Sequence, residues 1–293
     1  MSKPIPCGGD DGKTATTAST ATTAADAGAT TSAPPPTGAA SSSTQAPPAS
    51  TATSGAPTAS TNPGPTTQPA QAVTFGGQAG QLFGAYATPA SPKPKGAVLL
   101  IHENRGLTAH FKALPNRFAA AGYAALAVDL ASRKGGTDAI GDEGQVTAAL
   151  GAIPADQLVA DMRSALDELA KRAPGSKLGI VGFCFGGGQV WSLLAAGEPR
   201  LAAAAPFYGP GIANPDFLGS KAAVLGVYAE LDSRVDATKD AMDSALTKSG
   251  LVHEMRVFPG VDHAFFNDTG ARYNATQAQA AFDAVLAWFA KYL

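Results

Sequence analysis

Residues 177 to 191 read KLGIVGFCFGGGQVW. Leu178 to Val181 is a short apolar run of strand type, Gly182-Phe183-Cys184-Phe185-Gly186 is a turn, and the glycine-rich stretch after it opens a helix. This is the G-x-nucleophile-x-G pattern with Cys184 at its centre. A nucleophile presented above a sheet needs a tight strand-to-helix turn. The residues two before and two after it crowd that turn, where a side chain without Cβ fits best. The amide of Phe185 then points where a negative oxygen would develop. The start of the helix favours a thiolate. A glycine-flanked cysteine can also be a plain packing residue, so the rest of the chain has to decide.

Outward from this turn the composition divides the chain. Residues 1–70 are almost wholly Ala, Thr, Ser, Pro and Gly, with Met1 and Ile5 as their only large apolar side chains. The first aromatic residue is Phe75. A segment of this kind cannot bury enough apolar surface to offset the entropy of ordering it, so it reads as a disordered tail or linker. Residues 71–293 remain as one domain of ordinary size for an α/β core.

The formal net charge is −2. Two lysines against three aspartates in the first 70 residues leave the domain near −1. With no basic stripe, nucleic acid is not an expected partner. No apolar run reaches the length of a membrane span. Of the two cysteines, Cys7 lies in the tail and Cys184 in the turn. This predicts neither a disulfide nor a metal site, and the reading expects no cofactor. Cys7-Gly8-Gly9-Asp10-Asp11 looks like the start of a mature lipoprotein, with Cys7 as the lipid carrier. Met1 to Pro6 supplies no apolar signal core. An extracytoplasmic protein tethered to the envelope through its tail is favoured over a cytoplasmic one. The chain is taken as a monomer.

Within the domain, strands and helices alternate. Residues 72–76 and 81–87 are expected to pair antiparallel about a turn at Gly76-Gly77. Continuous apolar runs at 96–102 and 123–130 read as strands buried on both faces. A helix is expected over 108–121, with Pro115 inside it, and another from Pro154 to Arg172 with the apolar stripe Leu158, Met162, Leu166 and Leu169. A short helix near 143–150 lies between them. Beyond the turn, strands are expected at 202–208, 222–229 and 252–258, and helices at 236–248 and 275–291. The alternation predicts a mostly parallel sheet with helices on both faces.

Three reactive residues stand in the order nucleophile, acid, histidine. Cys184 follows one strand, Asp232 a later one, and His263 sits in the loop after the last. This is the chain order of the α/β-hydrolase fold. Asp232 could alternatively cap the helix that follows it. Glu103 ends a buried strand at the sheet edge where such sites form. His102, His110 and His253 show no such partners and are read as structural.

The domain from about residue 75 onward resembles the dienelactone hydrolase family of α/β hydrolases. The resemblance rests on HENRGL at 102–107, DLASR at 129–133, GFCFGG at 182–187, FYG at 207–209, ELD at 230–232 and GVDHAF at 260–265. It implies a Cys-His-Asp triad in which Cys184 attacks an ester carbonyl, forming a thioester acyl-enzyme. His263 would then be the base and Asp232 its orienter. It implies an oxyanion hole from the amides of Phe185 and Asn104, a Glu103 that helps to form the thiolate, and a pocket lined by Tyr208. It also implies that Arg133 binds a substrate carboxylate. The family's second arginine, four residues after the histidine, is absent: Asn267 stands there, and Arg272 is the nearest substitute. The expected function is hydrolysis of a small ester or lactone. The alternatives are an esterase or thioesterase for a substrate without a carboxylate, and a non-catalytic binding module on the same fold.

Overall fold

The computed structural model describes residues 69–293. The expected tail, its Cys7 and the tether lie outside the described residues. Eight strands form one sheet in the order β1-β2-β4-β3-β5-β6-β7-β8. They are β1 (Gln71–Gly77), β2 (Gly80–Ala87), β3 (Ala97–Ile101), β4 (Ala124–Asp129), β5 (Leu178–Phe183), β6 (Leu201–Phe207), β7 (Ala223–Ala229) and β8 (His253–Phe258). β1 and β2 make an antiparallel hairpin, and β2 meets β4 antiparallel. Every pair from β4 to β8 is parallel. The hairpin turns two residues later than expected, at 78–79 rather than Gly76-Gly77.

Among the described residues seven α-helices lie between strands, α1 (Ala109–Ala120), α2 (Thr137–Ile140), α3 (Glu143–Gly151), α4 (Ala155–Arg172), α5 (Phe185–Ala195), α6 (Ser233–Asp236) and α7 (Lys239–Lys248), and α8 (Ala275–Tyr292) follows β8. α1 runs through Pro115 as one helix. Successive residues of β3 serve opposite cores. Ala97, Leu99 and Ile101 join the cluster with Met162, Leu166 and Leu169 of α4 and Val190 and Leu194 of α5. Val98 and Leu100 join the cluster with Phe111, Leu114 and Phe118 of α1 and Val285 and Phe289 of α8. A strand buried on both faces has no polar side to show, which explains its unbroken apolar sequence.

The topology places the site. From β3 the chain crosses to β4 on one side, yet β5 pairs with β3 on its other side. Such a reversal opens a crevice at the carboxyl ends of the strands. Glu103 and Asn104 follow β3 there, and Cys184 follows β5.

Candidate active site

Cys184 joins β5 to α5 with φ 53° and ψ −114°. That is a left-handed and strained conformation for a residue with a side chain. Its surroundings enforce it. The Cys184 amide donates to the Phe207 carbonyl at 3.0 Å, and its carbonyl accepts from Gly188 of α5 at 3.1 Å. A Cβ at Gly182 would lie 2.2 Å from the Gly186 carbonyl oxygen, and one at Gly186 would lie 2.4 Å from that of Ile101. Neither position can carry a side chain while α5 stays against β3. Phe185 is the first residue of α5, where the helix does not use the amide.

His263 lies in the loop after β8 and Asp232 directly after β7. The His263 Nδ1 is 2.5 Å from Asp232 Oδ2. A carboxylate can only accept, so Nδ1 carries the proton and Nε2 is the basic nitrogen. Asp232 also caps α6, its Oδ1 accepting from the Val235 amide at 3.3 Å. One oxygen thus caps α6 and the other accepts from His263. The loop is held tightly. Ala264 has φ 64°, and Asp262 accepts from the His263 amide at 2.6 Å.

Glu103 is 7% exposed. Tyr208 O–H donates to its Oε1 at 3.2 Å, and Asn267 Nδ2 donates to its Oε2 at 2.9 Å. The Asn267 amide cannot turn over without loss, because its Oδ1 accepts from the Thr269 amide and hydroxyl at 3.1 and 2.7 Å. Burial raises the Glu103 pKa above the ordinary carboxylate range; the bonds from Asn267 and Tyr208, and the charges of His263 and His110, pull it partly back. Tyr208 is itself fully buried with φ 34°. Its ring stands edge-on to His263, with the centroids 5.1 Å apart.

The Glu103–Leu107 turn is fixed from three sides. His102 Nδ1 donates to the Glu103 carbonyl at 2.6 Å. Thr147 Oγ1 donates to the Asn104 carbonyl at 3.0 Å, and the Leu107 amide donates to Thr137 Oγ1 at 2.8 Å. His102 Nε2 accepts from the Leu130 amide at 3.0 Å. The buried ring thus clasps the ends of β3 and β4, one nitrogen donating and the other accepting. That pattern requires the neutral form, and burial accordingly lowers its pKa, with Asp129 opposing.

The two arginines expected to bind a substrate carboxylate each face a carboxylate of the protein itself. Arg133 follows β4, and its Nε and Nη2 donate to the two oxygens of Asp161 in α4, at 2.7 and 2.6 Å. Asp161 is fully buried. A cavity of about 270 Å³ beside Arg133 is lined by Lys134, Ile153, Pro154 and Gln157 among others, and by no triad residue. Arg272 is about half exposed, with Nη1 3.9 Å from Asp262. His110 departs from the expectation of a partnerless histidine: its Nδ1 is 2.6 Å from Asp268 Oδ1. His253 likewise has a carboxylate, Asp243, at 3.2 Å. Both pairs join residues too far apart in sequence, or too exposed, for any local pattern to announce them. Asn267 is the partner of Glu103 that sequence reading did not find; it was visible only as a departure from the family pattern.

A mostly parallel sheet, a sharp turn after β5 and an Asp-His pair on the loops after β7 and β8 define an α/β hydrolase. Residues 82–293 match the model of the dienelactone hydrolase family. A protein of Methylorubrum extorquens, provisionally named a carboxymethylenebutenolidase, is 32% identical over 221 residues, covering 70% of this chain and 75% of its own. A protein of Saccharolobus solfataricus with the same provisional name is 32% identical over 237 residues, covering 68% and 90%. The crystal structure of a provisionally assigned dienelactone hydrolase from Klebsiella pneumoniae superimposes with a TM-score of 0.67 at 29% identity, covering 76% of this chain and 98% of that one. The chain belongs to the dienelactone hydrolase family and is a hydrolase acting on esters or lactones. Among the described residues no helix is long and apolar enough to cross a membrane.

Proposed function

We propose that the protein hydrolyses small carboxylic esters or lactones through a thioester on Cys184. The observation that carries this reading is the 2.5 Å Asp232–His263 bond at the same sheet edge as the strained Cys184 turn. Cys184 Sγ passes its proton to His263 Nε2 and attacks the carbonyl carbon. The amides of Phe185 and Asn104 stabilise the oxygen that becomes negative. The carbon–oxygen bond to the leaving alkoxide breaks, and His263 delivers the proton to it. Water then attacks the thioester, His263 Nε2 taking its proton, and the acid leaves as Sγ is restored. Asp232 holds the imidazole in its tautomer and stabilises the imidazolium. Glu103, made more basic by burial, supports formation of the thiolate.

Hydrolysis of simple lactones and short aryl esters by wild type and by Cys184→Ala tests the reading. Wild type should turn over several members, and the variant should lose about 1,000-fold or more. Intact-mass spectrometry of wild type quenched during turnover should show the added acyl group, absent from the variant. Equal rates in the two proteins would remove Cys184 from the mechanism.

A further inference from the structure

We propose that this site takes uncharged esters and lactones, and that Asn267 is the residue that sets this choice. The inference rests on the ester-hydrolase reading above and narrows its substrate class.

The starting point is the lack of positive charge. Both Glu103 oxygens are held by neutral donors, Tyr208 and Asn267. Among the described residues no arginine or lysine forms an ion pair with it, and the charged groups acting on it are the histidines His263 and His110. Asp232, the other buried carboxylate of the site, has His263 as its partner.

The nearby cations are accounted for elsewhere. Arg133 grips Asp161 with two parallel bonds, and with its amide oxygen turned inward Gln157 accepts from the remaining Nη1 at 3.1 Å. That arginine neutralises a buried aspartate of α4. Arg105, next to Asn104, is 61% exposed and bonds Glu143 at 2.9 Å. Arg117 lies over the rings of Phe266 and Phe282, 4.9 and 4.4 Å from their centroids. Arg234 and Arg272 are exposed, and Arg272 faces Asp262.

A substrate with a carboxylate on its acyl side would bring that charge against a buried acid with no cation to receive it. A like charge so placed costs several kcal/mol, and an unpaired buried one costs at least as much. A neutral acyl group meets no such penalty. Asn267 decides the matter because it answers one Glu103 oxygen with a neutral amide where a cationic side chain would answer both charges, and Thr269 locks it there.

The test compares p-nitrophenyl heptanoate with mono-p-nitrophenyl adipate. The two share a leaving group and nearly share a shape, and differ by the terminal carboxylate. In wild type the neutral ester should have a kcat/KM about tenfold or more above that of the acid ester. Asn267→Lys should narrow this ratio by raising the acid ester's share. A wild-type ratio at or below one overturns the inference and leaves the hydrolase reading standing. Hydrolysis of neither ester, nor of any lactone, overturns the hydrolase reading and the inference with it. An unchanged ratio in folded Asn267→Lys removes Asn267 from the choice; should that variant not fold, the wild-type ratio decides the substrate class and the ratio in Asn267→His decides the role of Asn267.

Discussion

Glu103 and Asn267 lie 164 positions apart and meet at 2.9 Å. The amide donates to the carboxyl whether or not the proton is on the other oxygen, but it favours the ionised form. Removing that donor therefore raises the Glu103 pKa further. Asn267→Leu should move the acid limb of kcat/KM to higher pH, with kcat on the plateau falling less than kcat/KM does below it. A pH–rate profile of the variant, unchanged from wild type, would show that Glu103 does not titrate in the mechanism. At this scale the sequence was uneven in what it revealed. Cys184, Asp232 and His263 each follow a strand and announce themselves by local setting. The partner of Glu103 could be found only once the chain was folded, since nothing local links residue 103 to residue 267.

The strands and long helices were legible as elements because burial on one or two faces writes itself as apolar periodicity. The stripe Leu158, Met162, Leu166 and Leu169 of α4 is fully buried, as its spacing requires. The order of the strands was not legible, nor were the one-turn helices α2 and α6. A helix of four residues has no stripe to show and is fixed by contacts from afar. In α2, Thr137 Oγ1 reaches Asp129 and receives the Leu107 amide; α6 is capped by the same aspartate that accepts from His263. Asp161 shows how an element can mislead. It sets a buried acid on the inward side of α4, where it ties the segment after β4 to the helix through Arg133. Asp161→Leu leaves that guanidinium buried and unpaired. It should lower the unfolding free energy by about 3 kcal/mol, measured by urea denaturation, while kcat/KM of the folded protein stays close to wild type. A large selective loss of activity on anionic esters would instead return Arg133 to the substrate.

Taken as a whole, the molecule gathers its chemistry on one edge of a sheet whose other features are built for rigidity. The reversal of strand order at β3 brings the Glu103 turn beside the Cys184 turn, and three later crossovers add Tyr208, Asp232 and His263. The domain class could be read from alternation alone; the closeness of these loops could not, because it depends on which strand neighbours which. The clasp made by His102 between the ends of β3 and β4 has a consequence for how the molecule meets acid. Its ring is neutral when folded and is free to take up a proton when the chain unfolds. The folded pKa lies below the ordinary 6.5. The stabilisation is therefore complete above that value and drains away as pH falls below it. Unfolding should act as a proton sink, with a contribution of up to about 1.4 kcal/mol per pH unit. Stability curves between pH 5 and 7 should flatten in His102→Gln. The sheet edge that holds the site would then have an acid limit to its working life written into a residue that never touches substrate.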